Sequence, residues 1–163
     1  MAFPIGPLAG VISDNTEDSQ RFALGTEVQF NDGSKRMYVK SGGNITNASL
    51  LHIDATFKAK MVTDTLAKSS GRIGLAVHTV TASDLYFWAA TAWVNLPLRV
   101  LGSCAANVQL FTTGTAGALD DATASTSQLQ VMGVVLASAN PSATATSKNS
   151  SSMGEPIIRR IEI

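Results

Sequence analysis

The side chains that could do chemistry in this sequence are few, and the two histidines come first. His52 lies on the polar face of one predicted strand, and His78 lies on the small-residue face of another. Neither has a second histidine or a cysteine nearby at a spacing suited to a metal ion. We therefore interpret both as surface or packing residues, not as a general base or metal ligands, and we predict no zinc site.

The remaining candidates are one cysteine and one pair of aspartates. Cys104 is the only cysteine, so no disulfide can form within the chain. Its small neighbours favour a buried hydrophobic residue over the alternative, a nucleophile. Asp120 and Asp121 follow a glycine-rich stretch and could bind a cation, but such pairs more commonly serve as turn and capping residues. We predict no catalytic residue, no metal and no cofactor, and expect that the protein is not an enzyme.

Composition narrows the classes of partner. Charged residues make up 15% of the 163 residues and the formal net charge is zero, which argues against nucleic acid and anionic membranes as partners. Two short basic pairs, residues 35–36 and 159–160, could contact an acidic partner or simply be solvated. The first residues lack the basic region of a secretory signal, and no apolar run is long enough to cross a bilayer. We expect synthesis in a cytoplasm.

Short alternating runs separated by turn residues predict an all-β fold. Residues 25–40 form a hairpin pattern around Asn31-Asp32-Gly33-Ser34, because a glycine-containing turn between alternating hydrophobic residues favours a hairpin. Apolar residues then recur at every second position over residues 51–61, which predicts a strand with one buried face. Without a convincing long helix, the pattern is typical of an antiparallel β-sandwich or a jelly-roll-like barrel.

The stretch from residue 84 to residue 121 carries both tryptophans and should organise the core. Tyr86 and Trp88 share one face of a predicted strand whose other face is also apolar. Such a strand is either sandwiched inside the fold or covered by a second chain. We therefore predict that Tyr86, Trp88 and Trp93 belong to a subunit interface or to a core aromatic strand.

Two segments differ from the single β domain predicted for residues 21–163. Residues 1–20 mix apolar side chains with two prolines, which predicts an extended arm that docks on a partner. The alternative is a flexible terminus that docks on nothing. Residues 138–153 are rich in serine and threonine, which predicts an exposed flexible loop. The apolar side chains of the arm predicted to make this contact are Phe3, Ile5, Leu8, Val11 and Ile12.

Four stretches of the chain resemble the head-decoration, or cement, proteins of tailed bacteriophages. They are the hairpin at residues 25–40, the aromatic strand at 85–88, the glycine-rich turn at 113–120, and the VMGVV run at 131–135. The resemblance implies a non-enzymatic β-rich protein on the outer surface of the virion. It also implies a homotrimer that binds the major capsid protein at junctions between capsomers and stabilises the lattice, without nucleic acid, membrane or small-molecule substrate.

Two other functions remain open from the sequence. A carbohydrate- or receptor-binding β-sandwich displayed on the virion would use exposed Trp88 or Trp93 to stack on sugars. A small barrel that binds single-stranded nucleic acid would need a basic groove with aromatic platforms, and the neutral composition argues against it.

Overall fold

The computed structural model of the chain describes residues 15–122, 127–142 and 144–159. The described residues form eleven β-strands and one 3-10 turn, Leu66–Lys68, so the prediction of an all-β fold is confirmed. None of these residues forms a helix that is long and apolar enough to cross a membrane. The strands are β1 Glu27–Gln29, β2 Lys35–Ser41, β3 Leu50–Ile53, β4 Lys58–Met61, β5 Arg72–Ala76, β6 Tyr86–Ala92, β7 Leu96–Val100, β8 Leu110–Thr112, β9 Leu119–Asp120, β10 Gln130–Leu136 and β11 Thr146–Arg159.

Strands β2 to β6 close into what we call the first barrel. Their order is β2-β4-β3-β5-β6, and β6 returns to pair with β2. The β2–β4 pairing is parallel, whereas its other pairings are antiparallel. Strand β1 adds to β2 as a hairpin in which Gln29 lies opposite Lys35. Gly33 in the connecting turn has a φ of 80°, which a glycine adopts readily, so the predicted hairpin is confirmed.

The prediction of one continuous strand over residues 51–61 is wrong. The structure has two antiparallel strands, β3 and β4, joined by a turn at residues 54–57. The Asp54 carboxylate accepts hydrogen bonds from the backbone N–H groups of Thr56 at 2.8 Å and Lys58 at 3.0 Å. Aspartate side chains stabilise turns in this way, and here the Asp54 carboxylate stabilises the turn between β3 and β4.

Strands β7 to β11 close into the second barrel, in the order β10-β11-β7-β9-β8. Val100 and Leu119 form the one parallel contact, between β7 and β9. Strand β11 begins at Thr146, so the prediction of a flexible loop over residues 138–153 is wrong from that residue onward. Serine and threonine bury little apolar area, but the backbone of β11 is paired with β7 and then with β10, which satisfies its polar groups.

A shared core joins the two barrels. The interior of the first barrel holds its own cluster of apolar side chains, but a larger cluster draws on both barrels. Because each barrel needs the other to bury these residues, we expect the two to be stable only together. Members of the shared core from the first barrel and the turn after it are Leu50, Val62, Ile73, Leu75, Ala90 and Trp93, and members from the second barrel include Leu98, Val100, Leu110, Leu119, Val131 and Leu136.

The described part of the predicted arm, residues 15–20, lies on the first barrel. Glu17 and Tyr86 exchange two backbone hydrogen bonds of 2.8 Å. Residues 15–20 of the predicted arm therefore include a contact with β6. The five apolar residues predicted to contact a partner, Phe3, Ile5, Leu8, Val11 and Ile12, lie outside the described residues.

Candidate interaction surface

Among the residues that the structure describes, the large apolar side chains that remain exposed lie in or beside the second barrel. Val94 is in the turn between β6 and β7, Val108 precedes β8, and Met153 and Ile157 belong to β11. Their exposed fractions are 59%, 39%, 80% and 58%, in that order. Val108 and Met153 also border one shallow groove along β10. Exposed apolar surface of this kind is commonly a site of contact with another polypeptide.

Met153 is exposed because β11 bulges at this point. On either side of Gly133 in β10, the pairing partner changes from Ile157 to Ser152, so residues 153–156 leave the ladder. Gly133 itself has a φ of 82°. Bulges redirect side chains from their usual face, and this one turns Met153 towards solvent.

The chain itself covers both faces of the aromatic strand β6. Phe87 points into the first barrel, whereas Trp88 packs on the outside in a cluster with Tyr38 and Phe22. The ring centroids of Tyr38 and Phe22 lie 5.0 Å and 5.4 Å from that of Trp88. Tyr86 is half-buried in the same cluster. We call this group the outer aromatic cluster; β1 and the segment before it form its cover.

The buried Tyr38 hydroxyl forms hydrogen bonds that stabilise that cover. The Tyr38 hydroxyl donates to Glu17 Oε2 at 2.8 Å and accepts from the Arg21 N–H at 3.2 Å. Burial, with a further contribution from the Glu17 carboxylate, raises the pKa of Tyr38 to about 12. The phenol therefore stays neutral and keeps donating its proton to Glu17 over the physiological range.

Trp93 lies in the shared core and is held by a serine of β11. Its indole N–H donates to Ser150 Oγ at 3.0 Å, and the Ser150 hydroxyl donates to the Leu96 carbonyl at 3.0 Å. Trp93 and Trp88 are each 1% exposed, so neither presents a ring face to a sugar. The carbohydrate-binding hypothesis thus loses the two residues on which it depended.

A groove runs along the junction of the two barrels, and we call it the seam groove. Its volume is about 560 Å³, within the usual range for binding pockets. One wall consists of residues 69–73, at the start of β5, and the other of residues 155–158 in β11, with His52 and Ala67 completing the lining. The seam groove therefore combines apolar side chains with the backbone of two strands.

Within the described residues, β5 and β11 each have a stretch beside the seam groove where one edge has no paired strand. Strand β11 pairs with β7 only over residues 146–150, whereas residues 157–159 pair only with β10 on the other edge. Strand β5 pairs with β6 only at Leu75 and Ala76. An unpaired strand edge can accept an additional extended segment.

His52 contributes to the lining of the seam groove and behaves as a packing residue. It is buried, and its Nε2 has no hydrogen-bond partner in the described part of the chain. The ring lies so close to Gly71 that any side chain at position 71 would overlap it. His78 lies elsewhere and packs edge-on against Phe87, with ring centroids 5.8 Å apart. The two histidines therefore do not form a joint site.

Charges at the junction of the two barrels are paired within the chain. Lys35 Nζ lies 2.6 Å from a Glu27 carboxylate oxygen and 2.8 Å from one of Glu155, and Arg72 lies 2.8 Å from Glu27. The hydrogen bonds to Glu155 and Glu27 raise the pKa of Lys35. Arg36 is buried, so the predicted basic pair of residues 35–36 does not form a free basic patch.

Cys104, Asp120 and Asp121 are the one group in the described residues whose ligand atoms lie close enough together, within 4.8 Å, to resemble a metal site. Asp121 already accepts the Ala105 N–H at 2.8 Å, and Asp120 accepts the Asp121 N–H at 2.9 Å. Burial, reinforced by the two carboxylates, raises the pKa of Cys104 to about 11. The thiol is therefore protonated near neutral pH and unsuited to act as a nucleophile.

Sequence reasoning did not identify the seam groove. Its walls, residues 69–73 and residues 155–158, come from distant parts of the chain. No local pattern in either segment signals that they meet. Only the closure of the two barrels brings them together.

Comparison with known proteins identifies no relative of this chain, because no family model, no curated protein and no solved structure matches it. A proposal about function therefore depends on the geometry of the chain and on the resemblance of its turns and strands to phage decoration proteins.

Proposed function

We propose that this chain is a structural protein of a tailed-bacteriophage virion. It binds the outer surface of the head as a decoration, or cement, protein and stabilises the lattice of the major capsid protein. It acts as a homotrimer, performs no enzymatic reaction, and has the capsid protein and other copies of itself as partners.

The observation that supports this proposal best is the uneven distribution of exposed apolar side chains. The first barrel covers its aromatic outer face with its own residues, whereas Met153 and Val108 of the second barrel remain exposed. Exposed apolar residues that border one groove suit contact with a neighbouring polypeptide. The second barrel is therefore the side that faces the capsid.

Modest contacts suffice for such a role. Burying one large apolar side chain contributes roughly 1.5 to 3 kcal/mol, so a patch of a few side chains gives a weak interface by itself. A trimer that contacts several capsid subunits at once strengthens its binding by multivalency. Stabilisation of the shell then comes from many copies acting together.

Cryo-electron microscopy of purified heads of the phage that encodes the chain tests the proposal directly. We expect density for the two barrels on the outer surface of the heads, with Met153 and Val108 towards the capsid protein. Heads that lack this density, although the protein is present in infected cells, would refute the proposal.

A binding experiment with variants tests the orientation. Met153→Glu and Val108→Glu place a charge in the apolar patch and should lower occupancy on heads lacking the native protein by at least about tenfold, a loss of roughly 1.4 kcal/mol. Ala82→Glu is the matched control, because Ala82 is exposed on the first barrel. Equal binding of all three variants would contradict the assignment of the second barrel to the capsid.

A further inference from the structure

Met153 is the most exposed sulfur-containing residue in the described part of the chain, and it lies in the surface that the proposed function assigns to the capsid contact. The residue is 80% exposed. We propose that Met153 is a modification site at which a peroxide oxidises the free chain to methionine sulfoxide, and that this oxidation reversibly weakens the contact made by the second barrel. The site of oxidation is independent of the proposed function, whereas the effect on binding rests on it.

The bulge in β11 leaves Met153 open to solvent. Residues 153–156 leave the ladder with β10, so the side chain is not covered by a partner across that ladder. The next residue is Gly154, which has a φ of 90°. Among the described residues other than its chain neighbours, Gly154 has no heavy atom within 4 Å of the position that a Cβ would occupy. The space beside Met153 is therefore free for a small reagent.

The other sulfur atoms of the described residues are shielded by the fold. Met37 is buried inside the first barrel, and Met61 is half-buried against the same apolar cluster. Met132 is half-buried in β10, and Cys104, the single thiol, is buried. Because a peroxide must reach the sulfur atom to react with it, Met153 should be oxidised first among these residues.

The reaction is a two-electron oxidation of the Met153 thioether. The sulfur attacks one oxygen of hydrogen peroxide, the O–O bond breaks, and an S–O bond forms. The sulfur loses two electrons, and the second peroxide oxygen leaves as water with both protons. A methionine sulfoxide reductase reverses the step. Two thiols then supply the electrons and become a disulfide, and the sulfoxide oxygen leaves as water.

The sulfoxide changes the contact surface without disturbing the fold. Met153 and Val108 border one groove along β10, and oxidation places a polar oxygen in this apolar patch. Burying such a group against a partner without a hydrogen bond is unfavourable, so binding should weaken. Because Met153 belongs to none of the three apolar clusters, the oxidised chain should keep its stability.

Peptide mass spectrometry after graded treatment of the full chain with hydrogen peroxide tests the site. We expect Met153 to form the sulfoxide at least about fivefold faster than Met37, Met61 and Met132. Met132 is the internal control, because it borders the same groove but is only half-exposed. Equal or faster oxidation of Met132 would overturn the assignment, and so would a lower urea midpoint of the chain oxidised at Met153.

Binding to heads that lack the native protein tests the effect. Peroxide treatment should lower the occupancy of the native chain at least about fivefold, and a methionine sulfoxide reductase should restore it. Met153→Leu is the matched control, because its apolar side chain is not oxidised, and it should bind equally before and after treatment. An equal loss in Met153→Leu, or no loss in a native chain oxidised at Met153, would overturn the effect on binding.

The two experiments also separate this inference from the proposed function. If the untreated chain does not bind heads, the capsid role and the effect on binding are both rejected. Selective oxidation of Met153 is measured on the free chain and stands or falls by itself.

Discussion

Each barrel closes with five strands, but the two differ in how far the chain covers their outer apolar side chains. The first barrel shields β2 and β6 with an aromatic cover that includes Phe22 and Tyr38. The second barrel has no comparable cover in the described residues, and it leaves Val108, Met153 and Ile157 exposed. Its longest strand instead relies on serine hydroxyls, such as that of Ser150. Under the proposed function, the first barrel supplies stability and the second supplies the contact surface.

Truncating one large apolar side chain in each barrel should give the largest contrast. Trp88→Ala removes the centre of the outer aromatic cluster and should lower the free energy of unfolding by about 3 to 5 kcal/mol. Met153→Ala removes an exposed side chain and should change it by less than about 0.5 kcal/mol. Urea denaturation followed by circular dichroism measures both. Comparable losses in the two variants would show that Met153 is buried in solution.

The polar support of the second barrel is tested by Ser150→Ala. The substitution leaves the buried indole N–H of Trp93 without its partner, which should cost about 1 to 3 kcal/mol. Ser147→Ala is the control, because Ser147 lies in the same strand and is exposed. If both serines could be replaced without loss of stability, the pairing of the β11 backbone alone would hold this strand.

Much of the fold could be predicted from local sequence patterns, and the errors have physical reasons. The alternation over residues 51–61 continues through a turn because Leu51 lies opposite Met61 and Ile53 opposite Ala59. Paired residues are an even number of positions apart, so odd-numbered residues lie opposite odd-numbered ones and the alternation keeps the same face inward on both strands. Only Asp54, a turn-forming residue inside the run, signals the break.

The serine- and threonine-rich first part of strand β11 could not be predicted because its stability depends on its neighbours. Its serines and threonines carry no alternating hydrophobic pattern, and burial patterns are the main signal for a strand. The seam groove was unpredictable for a related reason, since its open edges exist only where two barrels meet. Placement of Trp88 in the core was one of two interpretations open from the sequence, and the cover that decides between them comes from residues far away in the chain.

Alkaline pH should affect the stability of the two barrels differently. A buried group with a raised pKa lies in each part of the chain, Tyr38 in the first barrel and Cys104 in the loop between β7 and β8 of the second. Tyr38 has a pKa of about 12 in the folded chain against an ordinary value of 10.0, and Cys104 about 11 against 9.0. The folded state holds these protons more tightly, so the stability that they contribute is present at lower pH. It is lost from pH 9 to 11 for Cys104 and from pH 10 to 12 for Tyr38.

The matching variants are Cys104→Ala and Tyr38→Phe, with unfolding free energies measured from pH 8 to 12. Cys104→Ala should flatten the decline that begins near pH 9, and Tyr38→Phe the decline that begins near pH 10. Unchanged pH profiles in both variants would show that other groups cause the loss of stability.

The smallest effect concerns the ion pair that bridges the barrels. Lys35 and Glu155 lie 2.8 Å apart and are 36% and 46% exposed, and exposed pairs contribute about 0.2 to 1 kcal/mol. Lys35 also keeps Glu27 as a partner at 2.6 Å, so Glu155→Gln should cost no more than about 0.5 kcal/mol. At 1 M salt, where the Debye length falls to about 3 Å, the cost should become smaller.

Glu27→Gln is the matched variant, since it removes pairs with Lys35 and Arg72 without touching the second barrel. Both variants should unfold in one cooperative transition, because the shared apolar core joins the two barrels. A separate early transition in Glu155→Gln would mean that the bridging charge, and not the shared core, makes them one unit. The division between a stabilising barrel and a contact barrel would then correspond to two independently folding parts.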